Sequence, residues 1–331
     1  MSRDNKMKIG VSGASGHVGN NLVRRLLRNG YQVRIFVRKD PGIYHDLSPE
    51  IFYGDMTDPA AVSDFVGGLD VVYHLAARIF IDGRKSREYF RQNVEGTRVL
   101  LDAARQAGVG RFIYFSSIHA YDPRPLDQPL DESRPLVLQD HYLYNRSKAV
   151  SQQMVLEAFG SGLNGVVLNP TAILGPHDHK PSLLGQAVIR MAKGKLPGLI
   201  PGGYDWVDVR DVTEAAVKAL NSGKTGEAYI LSGHWYSLED LYKVVKKELN
   251  LKKNLPVFPA WLARVGAPFL GLYSFFSGQE PLYTQGSITF LKHSNRYISH
   301  DKATRDLDYH PRPFEVTVKE TLAWFKKMKM I

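Results

Sequence analysis

Cysteine is absent from the 331-residue chain. Disulfide staples, thiolate nucleophiles and cysteine-held metal centres are therefore excluded, and the fold must be held by its apolar core. Long apolar runs are missing too. The most apolar region, Leu255 to Phe276, is interrupted by Pro256, Pro259 and Pro268 and carries Arg264. A membrane-spanning helix needs about 20 mostly apolar residues. The region reads instead as a helix packed over a pocket, with shallow membrane contact as the lesser reading. Acidic residues are in deficit, 33 against 43 Lys plus Arg, which gives a net charge of +10 and a pI of about 9.5. Such an excess would suit nucleic acid, an anionic membrane or a phosphorylated cofactor. A basic, soluble surface explains it more simply, so neither a nucleic-acid partner nor stable membrane insertion is expected. Lys319, Lys326, Lys327 and Lys329 read as a solvated helix end. No repeat or low-complexity segment is visible. Met1 to Lys8 is too short and polar for a signal peptide, which predicts a cytoplasmic location.

What is present is an alternation. Short apolar, β-branched runs at Lys8–Gly13, Gln32–Arg38, Glu50–Asp55, Asp70–Ala76, Arg111–Ser117 and Gly165–Asn169 read as buried strands. Helical patterns at His17–Asn29, Pro59–Val66, Ser86–Ala107 and Tyr142–Phe159 separate them. Strands alternating with helices predict an α/β fold: a doubly wound parallel sheet of Rossmann type, covered on both faces. The pattern changes after Asn169-Pro170. Val207–Leu220 reads as a helix, Ala228–Leu231 as a further strand, and helices dominate from Gly233 onward. The expected organisation is a dinucleotide-binding domain over residues 1–176, with 207–233 returning to it. A smaller, mainly helical substrate region would comprise 177–206 and 234–331.

The segment that says most about chemistry is Ser12-Gly13-Ala14-Ser15-Gly16-His17-Val18-Gly19. It follows an apolar strand and opens a helix. Glycines three apart let the backbone press against a pyrophosphate, and the helix N-terminus offers it free N–H groups and partial positive charge. Gly13, Ser15, Gly16, His17, Val18 and Gly19 are therefore candidate cofactor contacts. Strand two ends in Val37-Arg38, where an acidic residue would hold the ribose hydroxyls of NAD. The planar guanidinium of Arg38 suits a 2′-phosphate instead, which favours NADP, with NAD the other candidate. Asp55, with Met56 beside it, ends strand three, where a carboxylate can accept a hydrogen bond from the adenine amino group.

Tyr144 and Lys148 stand four apart, on one helical face. A nearby ammonium, and the cationic nicotinamide when the cofactor is oxidised, favour the phenolate and let the tyrosine exchange a proton with a substrate oxygen near neutral pH. With 17 tyrosines and 21 lysines, roughly one such pair is expected by chance. A second pair exists, Tyr242 and Lys246, and is assigned to chance. Tyr144 is distinguished by the Ser116-Ser117 pair ending the preceding strand, since a serine hydroxyl there can hold a substrate carbonyl. His177 and His179 are close, but a two-residue spacing reads as a polar loop, and no metal is expected.

Taken together, these motifs resemble the extended short-chain dehydrogenase/reductase family over nearly the whole chain. His74-Leu75-Ala76-Ala77, Asn93-Val94-Glu95-Gly96-Thr97 and Asn169-Pro170 through Gly175-Pro176 add to the resemblance. The stretch Tyr204 to Val212 and the ending Lys302-Ala303, Tyr309 to Arg312 and Trp324-Phe325 are most similar to the dihydroflavonol-reductase and 3β-hydroxysteroid-dehydrogenase branch. The resemblance implies that Tyr144 is the general acid/base, that Lys148 holds the nicotinamide ribose and tunes Tyr144, and that Ser117 orients the substrate oxygen. It implies that Asn93 supports a water relay to Lys148, that Ala76 and Ala77 line the cofactor channel, and that Asn169 and Pro170 flank the nicotinamide. It also implies a homodimer through helices 86–107 and 142–160. Two departures stand out. Many members have arginine where Asn169 stands, and sugar-nucleotide members carry arginine where Tyr204 stands. The expected function is NADP-dependent interconversion of a small-molecule ketone or aldehyde and its alcohol. The alternatives are an NAD-dependent sugar-nucleotide epimerase or dehydratase and, more remotely, a non-catalytic cofactor-binding regulator.

Overall fold

The computed structural model describes residues 6–80, 86–259, 291 and 294–331. Its first half follows the alternation. Strands β1 (Lys8–Ser12), β2 (Gln32–Val37), β3 (Glu50–Tyr53), β4 (Val71–His74), β5 (Arg111–Phe115) and β6 (Gly165–Pro170) alternate with helices α1 (His17–Arg28), α2 (Pro59–Val66), α3 (Ser86–Gln106) and α4 (Leu143–Gly160). After β6 come β7 (Ala172–Leu174), α5 (Leu183–Ala192), β8 (Gly203–Asp208), α6 (Val209–Lys218), β9 (Ala228–Leu231), β10 (His234–Ser237) and α7 (Leu238–Leu249). The C-terminal part carries α8 (Asp301–Leu307) and α9 (Phe314–Lys327).

Seven strands form one sheet in the order β3-β2-β1-β4-β5-β6-β9, with every pairing parallel. Buried residues such as Ile9, Val11, Val72, Ile113 and Val167 run down both faces of its strands, as a two-sided parallel sheet requires. One face packs against α1, α6 and α8 through Leu22, Leu26, Val212, Ala216 and Leu307. The other packs against α2, α3 and α4 through Phe65, Leu100, Ala104, Val155 and Phe159. The expected doubly wound Rossmann-like sheet is thus present. Its strand order reverses between β1 and β4, and ligands of such sheets sit outside the carboxyl ends of the strands at that point.

Beyond β6 the sequence reading was incomplete. A second sheet, ordered β10-β8-β7, went unread. With α5, α7 and α9 it encloses a separate core that includes Val188, Trp206, Leu241, Phe314 and Phe325. The helix expected from Val207 starts two residues later. Val207 and Asp208 end β8, pairing with Ile173 and Leu174. The Asp208 side chain then caps α6 by accepting from the Arg210 amide at 2.8 Å. Strands β7 and β10, of three and four residues, carry few alternations, and β8 is continuous with the helical pattern of α6 that follows it. Most of Leu255–Phe276, including Trp261, lies outside the described residues; Leu255 at its start is buried.

Candidate active site

The turn after β1 is built by close approach. Gly13 has φ of +75°, and a Cβ there would lie 2.6 Å from the Ala76 nitrogen. At Gly19 a Cβ would lie 2.2 Å from the Gly13 carbonyl oxygen, so α1 packs directly on the turn. Gly16 caps α1 without a side-chain hydrogen bond. The first-turn amides are thus left for a ligand, the arrangement that holds phosphate at a helix N-terminus. Facing the turn, Leu75 and Ala76 donate their amides to Ser12 Oγ at 3.2 and 3.3 Å.

A buried histidine fixes this wall. His74 Nδ1 lies 2.8 Å from Ser12 Oγ and Nε2 lies 3.0 Å from Thr97 Oγ1. Thr97 donates its own hydroxyl to the Asn93 carbonyl, so it accepts from His74, and Ser12 donates to Nδ1. The imidazole is neutral: burial, with Lys148 next, lowers its pKa to about 3. Strands β1 and β4 and helix α3 are tied by this one ring. Sequence reading placed His74 in a motif but assigned it no role.

One cavity of about 1770 Å³ runs along the carboxyl ends of the strands. It exceeds the usual range for a small-molecule pocket, roughly 300–1,000 Å³, and has room for a dinucleotide and a second ligand. Of the residues nominated from the sequence as site or cofactor contacts, all but Asn169 line it. Gly13, Ser15, Gly16, His17, Val18 and Gly19 form the phosphate end, with Arg38, Asp55 and Met56 beyond them. Ala76, Ala77, Asn93, Ser117, Tyr144, Lys148 and Pro170 form the other end. At the outer end Arg38 is exposed. Neighbouring Asp40 is engaged with the Gly42 amide at 2.8 Å and does not pair with it. Asp55 Oδ1 accepts from the Thr57 amide and hydroxyl, which hold its carboxyl below the usual carboxylate range.

At the inner end Ser117, Tyr144 and Lys148 converge. Ser117 is 8% exposed and follows β5, and Lys148 on α4 is 5% exposed. Ser117 Oγ accepts from the His119 amide at 3.2 Å, and its hydroxyl is near enough to the half-buried Tyr144 phenol to favour the phenolate. The Lys148 ammonium donates to the Phe115 carbonyl at 3.0 Å and stands 5.5 Å from the centre of the Tyr114 ring. Phe80 and His119 pack edge-on against the Tyr144 ring at 5.9 and 6.2 Å. In the protein without cofactor, Lys148 alone does not lower the Tyr144 pKa. Burial raises it to about 12, against the Ser117 hydrogen bond, and burial lowers Lys148 to about 8. In the protein alone Tyr144 is therefore a protonated phenol at neutral pH.

Asn93 is more constrained than expected for a water relay. Its side chain accepts from the Arg78 amide at 2.8 Å and donates to the Arg78 carbonyl at 3.0 Å and to Ser147 Oγ at 3.3 Å. Asn169, where many relatives of this type carry arginine, is fully buried and donates to the Ser117 carbonyl at 2.9 Å and to Gln152 Oε1 at 2.7 Å. A neutral amide pair thus supports the Ser117 segment from behind. The second Tyr–Lys pair lies on α7. Tyr242 donates to the Lys253 carbonyl and Lys246 bonds Asn254, away from the cavity lining. Among the described residues no group of three His, Asp or Glu side chains is placed to hold a metal. No described helix is long and apolar enough to cross a membrane.

A parallel sheet with a glycine turn at its switch point, and a half-buried Tyr beside buried Ser and Lys, is in keeping with an oxidoreductase enzyme in the broad sense. More particularly, residues 9–232 match the family model described as NAD dependent epimerase/dehydratase family, and the chain belongs to that family. It is 32% identical over 97% of its length to sterol demethylase protein B of Methylococcus capsulatus, covering 99% of that protein. It is 29% identical to a putative dihydroflavonol 4-reductase of Synechocystis, with 96% of this chain and 94% of that one covered. A 3-beta-hydroxysteroid dehydrogenase of Mycolicibacterium neoaurum is likewise 29% identical, over 91% of this chain and 86% of its own. Among solved structures, gox2253 superposes with a TM-score of 0.84 at 31% identity, covering 99% and 100% of the two chains.

Proposed function

We propose that the protein is an NADP-dependent oxidoreductase that interconverts a ketone or aldehyde and the corresponding alcohol. The observation that carries the reading is the convergence of Ser117, Tyr144 and Lys148 in the wall of the same cavity as the glycine turn. When bound, the nicotinamide supplies or takes up the hydride. The first-turn amides of α1 hold the pyrophosphate, and Arg38 meets the 2′-phosphate with no competing ion pair among the described residues. Ser117 orients the substrate oxygen. Tyr144, a protonated phenol at neutral pH, delivers its Oη proton to that oxygen on reduction and recovers it on oxidation. Lys148 places a positive charge beside this exchange and stabilises the phenolate that forms.

The named activities of the relatives favour apolar substrates, and much of the cavity wall is apolar: Ile118, Leu138, Leu183, Leu184 and Met191. Helices α3 and α4 pack together and form the surface proposed for a homodimer, which sedimentation or light scattering tests. The second reading, sugar-nucleotide epimerisation or dehydration with NAD, draws on the family description and uses the same three side chains. Tyr204 at the nucleotide position disfavours it.

The deciding experiment is a panel of apolar carbonyl compounds assayed with NADPH and with NADH. Net NADPH oxidation, weakened roughly tenfold or more by Arg38→Ala with NADH unaffected, is the expected outcome. Tightly held NAD with no net oxidation of either reduced cofactor would favour the second reading instead.

A further inference from the structure

Asp205 is a buried carboxylate in the cavity wall that neither hydride transfer nor cofactor binding uses. It is 5% exposed and sits on β8, between Tyr204 and Trp206. Successive side chains of a strand alternate faces. The Tyr204 and Trp206 rings meet at 5.5 Å and belong with the C-terminal core, so Asp205 is turned away from that core. Its Oδ1 accepts from the Thr171 hydroxyl and from the Gly233 amide, both at 2.7 Å. Thr171 follows Pro170 at the end of β6, and Gly233 follows β9, so this oxygen ties the small sheet to the large one. The second oxygen, Oδ2, makes no hydrogen bond among the described residues. Thr171 and Asp205 both line the cavity.

Asp205 is not among the described side chains with a fully enclosed, unpartnered atom, so Oδ2 opens on the cavity and takes its donor from water or a ligand there. Burial pushes the Asp205 carboxyl above the usual carboxylate range, against the bonds from Thr171 and Gly233 and the nearby His234. Elsewhere the wall of the same cavity offers apolar surface, from Ala172, Ile173, Leu184 and Met191 among others. An anionic group would meet repulsion there, and an ether or hydrocarbon would leave Oδ2 unsatisfied. A hydroxyl both donates and accepts, and so matches the carboxyl in either protonation state.

We propose that Asp205 is a specificity-determining residue, receiving at Oδ2 a hydrogen bond from a free hydroxyl on an otherwise apolar ketone or alcohol substrate. This rests on the oxidoreductase reading above and adds the substrate's second polar group.

The test uses matched pairs of apolar ketones, each pair differing only in a free hydroxyl against its methyl ether. The series sets that group at increasing distances from the carbonyl. Dissociation constants are measured by calorimetry on the full-length protein with cofactor bound, and KM and kcat with reduced cofactor. A charge-assisted hydrogen bond makes at least one hydroxylated member bind roughly tenfold or more tighter than its ether. Asp205→Asn keeps an acceptor for Thr171 and Gly233 but presents a donor to the cavity. In that variant the hydroxyl preference collapses, with an unchanged melting temperature and cofactor affinity. Asp205→Ala loses the preference too, together with some stability. Equal affinity of hydroxyl and ether across the series in the wild type, or an undiminished preference in Asp205→Asn, overturns the proposal, as does failure of every pair to bind. Binding with the expected preference but no turnover with either cofactor would sink the oxidoreductase reading and leave the Asp205 contact standing.

Discussion

Lys148 has a cost as well as a use. Its ammonium is buried at the inner end of the cavity, and burial alone lowers its pKa from 10.5 to about 8. The unfolded chain therefore binds more protons than the native one between those values, and stability rises with pH across that window. Below about pH 8 the full penalty is present. Lys148→Met is expected to raise the denaturation midpoint at pH 7 while removing most activity. The charge that helps Tyr144 should also leave a kinetic trace. In the direction of carbonyl reduction, kcat/KM should fall as pH rises through about 8, because the free enzyme loses the Lys148 proton. In Lys148→Arg, whose guanidinium stays charged, that limb should disappear. The same limb in the variant would remove Lys148 from the account. Tyr144, Lys148 and Ser117 were legible because residue type, spacing and order along the chain converge. The direction of the Tyr144 shift was not legible. It depends on burial by Phe80, His119 and the helices around them, which no local pattern encodes.

Turns and helix starts decide where the cavity opens. The glycine turn was readable in full, because a strand, a glycine spacing and a helix met within a dozen residues. Its tightness yields a direct contrast. Gly19→Ala forces a methyl to within 2.2 Å of the Gly13 carbonyl, where backbone cannot give way. It is expected to cost about 1–3 kcal/mol or more and to weaken cofactor binding sharply. Gly30 has φ of +84° with nothing within 4 Å of an added Cβ. Gly30→Ala should cost about 1 kcal/mol and leave cofactor binding intact. Denaturant midpoints and a cofactor titration compare the two; equal effects on binding would mean that the close packing of α1 on the turn is irrelevant to the site. Strands β7, β8 and β10 escaped sequence reading for the opposite reason. Strands β7 and β10 are short, β8 runs directly into the helical pattern of α6, and the pairings join residues up to 34 positions apart, such as Ala172 with Trp206.

At the scale of the whole molecule, the C-terminal ending acts as a clamp. Tyr309 donates its hydroxyl to the Ser232 carbonyl at 2.8 Å, fastening the segment after α8 to the edge of the main sheet. Arg312 binds the Asp211 carboxylate through Nε at 2.8 Å and Nη2 at 2.5 Å, and lies 3.8 Å from Asp208. Burial opposes ionisation of Asp208, but Arg210 and Arg312 outweigh it and hold the carboxyl low. Sequence reading named both the ending with Tyr309 and Arg312 and the stretch Tyr204 to Val212 that holds Asp208 and Asp211, but not that they meet, across some hundred residues. Arg312→Ala leaves the buried Asp211 carboxylate without its guanidinium, while Asp208 keeps Arg210, and should cost roughly 3–5 kcal/mol, read as a lowered denaturation midpoint. An unchanged midpoint would mean that the clamp contributes nothing. The double variant Asp211→Asn with Arg312→Ala should recover part of the loss, since a neutral amide no longer needs the guanidinium.

The central claim is that hydride passes between the nicotinamide and a substrate carbonyl while Tyr144 handles the proton. The most direct measurement is product mass after incubating a turned-over ketone with NADPH deuterated at C4, for the wild type and for Tyr144→Phe. The account predicts an alcohol carrying deuterium on the former carbonyl carbon from the wild type. From Tyr144→Phe it predicts essentially no product, although NADPH still binds. Product without deuterium, or near-normal turnover by Tyr144→Phe, would contradict it.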